Sequence, residues 1–97
     1  MKTFEEVKNI LLQNKKNIED GFSVKEIAIF GSYARNEQNE ESDLDLLIDF
    51  KEPIGLLKFI ELERHLSDLL DVKAELVTRR ALKKRIGQRI LQELIKI

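Results

Sequence analysis

Apolar positions recur along this chain with two different periods, and the switches between them outline the elements. Phe4, Val7, Leu11 and Ile18 fall at helical spacing, and Thr3-x-x-Glu6 has the form of a capping box, so residues 4–19 are predicted to form an amphipathic helix. Asp20-Gly21 is expected to end it. Val24 to Phe30 reads as a first strand, because Ile27-Ala28-Ile29-Phe30 is a short apolar run closed by glycine, as in a strand buried on both faces. A short helix is expected from Ser32 to about Arg35, and the polar residues 36–42 form a loop. Leu44 to Phe50 is the second strand. Side chains alternate across a strand, so Leu44, Leu46, Ile48 and Phe50 share one face while Asp43, Asp45, Leu47 and Asp49 share the other.

Lys51-Glu52-Pro53 is the next turn. Leu56, Phe59, Ile60, Leu66 and Leu69 or Leu70 then mark a helix over residues 55–70, long enough to cover one face of a small sheet. A third strand, Val72 to Val77, puts Glu75 on one face with Lys73 and Val77. Thr78 can cap a last helix in which Leu82, Ile86, Ile90 and Leu94 repeat every four residues. The expectation is an α/β (α+β) single domain, residues 1–97, with three strands and about four helices in the order α-β-α-β-α-β-α. The sheet is expected to be covered mainly on one side. Periodicity leaves the strand directions open.

Composition narrows the chemistry. Ninety-seven residues suffice for one modest core. The absence of cysteine excludes disulfides, zinc-thiolate sites and thiol catalysis together. The amino terminus lacks the apolar core of a signal peptide, and no apolar run approaches bilayer length, so a soluble cytoplasmic protein is expected. Net charge is −1, yet residues 1–52 hold 12 acids and 7 bases while residues 53–97 hold 6 acids and 10 bases. An acidic site facing cations and a basic end facing an anion would fit that asymmetry, as would ordinary surface variation.

Asp43 and Asp45 carry the sharpest signal. Two residues along a strand span roughly 6.5 to 7 Å, so their carboxylates can converge on metal ions about 3.5 to 4 Å apart, as two-metal phosphoryl chemistry requires. Oxygen-only ligands suit magnesium or manganese. Two like charges opening an apolar strand are costly unless a cation joins them, which sets this pair apart from solvated strand-end aspartates. Gly31-Ser32 is the second part. Glycine at the exit of a strand permits close backbone approach, and exposed amides with the Ser32 hydroxyl can bind phosphate; alone, the pair is an ordinary capped turn.

Gly31-Ser32, ten residues, then Asp43-x-Asp45 resembles the signature of the polymerase-beta-type nucleotidyltransferase superfamily. The fuller pattern, Gly-Ser-Tyr-Ala-Arg, Ser-Asp-Leu-Asp-Leu-Leu-Ile and Glu-Leu-Val-Thr-x-x-Ala-Leu, is similar to its minimal nucleotidyltransferase (MNT) branch across nearly the whole chain. The resemblance implies a small nucleotidyltransferase fold with a mixed sheet. It implies that Asp43 and Asp45 hold divalent cations, Mg2+ or Mn2+ and two of them, and that Gly31 and Ser32 hold the terminal phosphates of a nucleotide, ATP foremost. A third carboxylate on a later strand usually completes the site, here Glu75, where relatives commonly carry aspartate. The competing reading of Glu75 is an exposed strand charge paired with Lys73.

Asn36 stands where the pattern usually has glycine, and asparagine tolerates the positive φ such a turn needs. Arg35 serves equally as a phosphate ligand or as a partner of the acidic loop. Asp49 reads as solvated, and His65 as packed or solvated. The basic run Arg79, Arg80, Lys83, Lys84, Arg85 and Arg89 opposes a helix dipole and could guide a nucleotide or an acidic protein surface; a solvated face is the alternative.

The chain has no module to grip a template, so nucleic acid is not expected as direct substrate, and the acceptor is expected on another protein. Minimal members are frequently paired with HEPN-domain toxins, and some transfer AMP from ATP onto a tyrosine of the toxin. The leading expectation is therefore an antitoxin of that kind, a protein adenylyltransferase with a partner encoded nearby, as a hetero-oligomer or a homodimer. The competing expectations are a nucleotidyltransferase acting on a small hydroxylated molecule and a binding-only antitoxin.

Overall fold

The computed structural model describes residues 2–85 and 87–97. Helix α1 (Phe4–Phe22) opens with the expected capping box: the Glu6 amide donates to Thr3 Oγ1 and the Thr3 amide to Glu6 Oε1, each at 3.1 Å. It runs past Gly21. Ser23, at φ 55°, adopts the left-handed conformation that ends the helix and turns the chain into strand β1 (Val24–Phe30). Gly21 supplies no positive φ, so the expected stop at Asp20-Gly21 shifts by about one turn.

Strand β2 (Leu44–Phe50) runs antiparallel to β1, and β3 (Ala74–Thr78) runs parallel to β2. Helix α2 (Leu56–Leu70) makes the crossover between the two parallel strands and ends on Asp71 at φ 53°. The expected mixed sheet is thus present, with one strand more than the sequence suggested. Strand β4 (Ile95–Lys96) pairs antiparallel with Ala28 and Ile29 of β1, giving the order β3-β2-β1-β4. Of the expected C-terminal helix, the residues on either side of position 86 are helical, α3 (Arg79–Arg85) and α4 (Gly87–Glu93). Ile86, one of the positions expected to mark that helix, and the Ile90 side chain lie outside the described residues. Thr78 caps α3 as expected, accepting from the Ala81 amide at 3.2 Å.

The main core lies between α1, α2 and one sheet face. Val7, Leu11 and Ile18 meet Ile27, Ile29, Leu44, Leu46 and Ile48 there, all without solvent exposure. Helix α2 contributes Leu62, Leu66 and Leu70; Leu56 and Ile60, expected in its buried stripe, remain exposed, so its first turn projects past the core. The same helix shields the outer edge of β3. Ser67 Oγ accepts from the Ala74 amide at 3.0 Å and Glu63 Oε2 from the Leu76 amide at 3.2 Å, satisfying donors that an edge strand would leave open.

The other sheet face carries a smaller cluster, Ala28, Phe30, Leu47, Val77 and Leu82, with Leu91 and Leu94 packed against it. Asp43, Asp45 and Glu75 continue the same face beyond this cluster.

Candidate active site

Strand register places the two aspartates and Glu75 together. Asp45 stands opposite Phe30 of β1 on one side and opposite Glu75 of β3 on the other. Paired residues on adjacent strands share a face, so Asp43, Asp45 and Glu75 belong to one surface. Leu47 and Val77, the next residues on that surface, are buried and form its apolar floor. The acidic end beside this apolar floor is therefore a consequence of alternation in β2 and β3.

The turn after β1 closes over this end. Gly31 has φ 75°, and the Arg35 amide donates to its carbonyl at 3.2 Å. The expected short helix at 32–35 is this turn and no more, because the Glu37 amide reaches back to the Ser32 carbonyl at 2.9 Å and Asn36 leaves the helical region at φ 58°. Asn36 thus adopts the positive φ expected of it. Gly31 is required twice over. A Cβ there would overlap Asp45 Oδ2 and lie 3.0 Å from its Cγ, so the close approach that glycine permits is to the carboxylate itself.

Packing and neighbours act on Asp45 in the same direction. Partial burial, then the charges of Glu75 and Asp43, push its carboxyl up from 3.8 to about 6, against a smaller opposite pull from Arg35. Concentrated negative charge of this kind is what a divalent cation relieves, and a donor set of carboxylate oxygens without thiolate or imidazole suits Mg2+ or Mn2+. Among the described residues, no three acidic or histidine side chains already stand close enough to enclose an ion. Glu75 is brought beside Asp45 without closing a three-carboxylate cage. Its expected competitor pairing is absent among the described residues: Lys73 Nζ lies 4.0 Å from Asp43 Oδ2 instead.

Arg35 has two anionic partners. Its Nε donates to Glu37 Oε2 at 3.1 Å and its Nη1 to Glu93 Oε2 at 3.0 Å. The first is the acidic-loop contact, one of the two roles that the sequence left open for Arg35. Glu93, from α4, was not singled out by any sequence signal, since 58 residues separate it from Arg35. Beside Asp43 a cavity of about 260 Å³ opens, with Tyr33, Asn39, Ser42, Val72 and Lys73 in its wall. His65 is exposed and lies against Phe22, ring centroids 5.6 Å apart, away from these carboxylates. Arg79 pairs with Glu26 at 3.0 Å; the side chains of Lys83, Lys84, Arg85 and Arg89 lie outside the described residues, so the expected basic run is seen only at Arg79 and Arg80. Among the described residues no helix is long and apolar enough to cross a membrane.

Comparison with known proteins gives this geometry a context. Residues 5–97 match the nucleotidyltransferase domain. Protein adenylyltransferase MntA of Thermococcus cleftensis is 46% identical over 95 residues, covering 98% of this chain and 96% of that protein. A candidate protein adenylyltransferase of Methanocaldococcus jannaschii is 58% identical over 82 residues, 84% of either chain. Among solved structures, a candidate minimal nucleotidyltransferase superposes with a TM-score of 0.75 at 31% identity, covering 94% of this chain and 95% of that one. The Shewanella oneidensis MNT antitoxin, solved in complex with a tri-AMPylated HEPN toxin, has the same fold, with a TM-score of 0.62 at 20% identity over 90% of this chain and 70% of that one.

Proposed function

The chain belongs to the nucleotidyltransferase domain family, and from that premise we propose that it transfers AMP from ATP to a hydroxyl of a partner protein, a tyrosine of a HEPN-type toxin, and so acts as an antitoxin. The observation that carries the reading is the meeting of Asp43 and Asp45 with the Gly31-Ser32 turn at the acidic end of the sheet face. The protein-adenylyltransferase names of the archaeal relatives support the reaction type. The Shewanella antitoxin, with its tri-AMPylated HEPN toxin, supports the choice of partner.

The reaction joins the acceptor oxygen to the α-phosphorus of ATP while the bond from that phosphorus to the bridging oxygen of pyrophosphate breaks, and the hydroxyl proton leaves to a base. Gly31 and Ser32 hold the terminal phosphates through backbone amides and the Ser32 hydroxyl. Arg35 stands beside them with charge to spare for a phosphate only as far as Glu37 and Glu93 release it. Asp43 and Asp45, with Glu75 alongside, would hold Mg2+ or Mn2+, two ions by family resemblance. Bound there, such ions neutralise the triphosphate and ease deprotonation of the acceptor. Glu75 is exposed opposite Asp45, where a carboxylate can take the acceptor proton. The protein's part is positioning and charge placement, so a covalent intermediate is not needed. The cavity beside Asp43, with Tyr33 of the turn in its wall, gives an acceptor side chain a way in.

The test is incubation with α-labelled ATP, Mg2+ and the HEPN-type product of a neighbouring gene. Labelled partner that disappears in Asp43→Asn/Asp45→Asn supports the reading. Neutralisation without labelling in wild type and double mutant alike would replace it with a binding-only antitoxin, and label found only on a small molecule would move the acceptor off the protein.

A further inference from the structure

We infer that Glu93 is a positioning residue: through Arg35 it fixes the Gly31-Ser32 turn against Asp45, and with it the phosphate end of the nucleotide. The second half of that statement rests on the nucleotidyltransferase reading; the first does not.

Three observations meet on this contact. Glu93 is the final residue of α4, whose last turn holds no basic residue. Carbonyls left unsatisfied at a helix C-terminus repel a carboxylate, so an acid there is unfavourable unless a cation lies close. Arg35 Nη1 is that cation, 3.0 Å from Glu93 Oε2 and 3.3 Å from Oε1. The Glu93 side chain is only 20% exposed, whereas Glu37, the other partner of the guanidinium, is 65% exposed and two residues away in sequence. Exposed local pairs contribute little; Arg35 is itself exposed, so it is the largely covered Glu93, far away in sequence, that is able to restrain the turn.

The restraint has a direct route to the site. Arg35 closes the turn through its own amide on the Gly31 carbonyl, at 3.2 Å, while its side chain is held by Glu93. Gly31 in turn lies against the Asp45 carboxylate with no room for a Cβ. Helix α4 is itself seated, because its Leu91, and Leu94 just past its end, pack on the cluster that holds Leu47, on the same sheet face as Asp45. Glu93 is therefore a fixed post, and Arg35 the strut between it and the turn. The role of Glu93 is distinct from that of a phosphate ligand, since its contact is with Arg35.

The experiment compares wild type, Glu93→Ala, Glu93→Gln and Arg35→Ala, each first checked for a folded amide spectrum. Amide hydrogen exchange is then read at residues 32–37, and Mg-ATP affinity by calorimetry. Glu93→Ala is expected to speed exchange at these amides about tenfold or more, leaving α1 and α2 unchanged, because a local restraint alone is lost. Mg-ATP should bind about five- to tenfold more weakly, with kcat at saturation nearly kept, since ground-state positioning is what weakens. Glu93→Gln, whose amide oxygen still accepts from Arg35, should recover most of both effects. On the Arg35→Ala background, Glu93→Ala should add nothing. Unchanged exchange in Glu93→Ala overturns the inference, and so does tighter Mg-ATP binding, which would make Glu93 a competitor for Arg35. Faster exchange in a protein whose wild type binds no Mg-ATP would uphold the strut and remove the nucleotide reading instead.

Discussion

Gly31 and Asp45 share one space: the volume that a Cβ on Gly31 would need is filled by the Asp45 carboxylate. The two residues are fourteen apart in sequence, Gly31 directly following Phe30, the strand partner of Asp45, and each fixes the other. Gly31→Ala must therefore move the turn or the carboxylate as well as force an L side chain to φ 75°. The expected cost is about 1–3 kcal/mol of stability by urea unfolding. AMP transfer should fall at least tenfold by roughly the same displacement argument. Full activity in this variant would mean that the two residues do not position one another.

Asp45 makes stability depend on pH and on metal. Its folded-state value, about 6, lies above the ordinary 3.8, so the folded chain holds this proton more tightly than the unfolded one. The associated stability is complete below the unfolded value and is lost as pH rises through the folded one. Without metal, Asp45→Asn should be more stable than wild type near pH 8, on the order of 1 kcal/mol after allowing for solvent screening, with the gap closing toward pH 4. Addition of Mg2+ near pH 8 should raise the Tm of wild type and not that of the variant. Scanning calorimetry across the range reads both.

Glu75 acts on Asp45 through charge, second only to burial. Glu75→Gln should therefore lower the Asp45 carboxyl pKa, read by carbon-detected NMR titration of the metal-free protein. If Glu75 also takes part in transfer, the same variant loses roughly 10²-fold or more in rate, as for a removed general base, while Glu75→Asp keeps part of it. A shifted Asp45 titration with unimpaired transfer would leave Glu75 as a neighbouring charge alone.

Placement of Glu75 depends on β3 staying in register, and α2 secures that edge. Glu63→Ala strands the Leu76 amide, which should cost about 1 kcal/mol and weaken the β2–β3 pairing. Chemical denaturation gives the first number. Faster exchange at the Leu76 amide than at β1 amides gives the second; equal exchange would show that the edge is held by packing alone.

Much of this was legible from residues alone. Period-two alternation in Leu44 to Phe50 fixes which face Asp43 and Asp45 share, because that geometry is local to a strand. Thr3-x-x-Glu6 and Thr78 likewise announce their caps, since a cap is made within one turn. Spacing did not reveal β4, because two residues carry no period. Nor could it place Glu93, whose contact with Arg35 spans 58 residues and exists only once α4 has packed on the sheet. The identity of the paired aspartates is thus a property of the sequence. What surrounds them, a glycine pressed on Asp45, Glu75 in register beside it and Arg35 braced from the far end of the chain, was decided by parallel pairing of β2 with β3 and by packing of the C-terminal helices, neither of which any local pattern encodes.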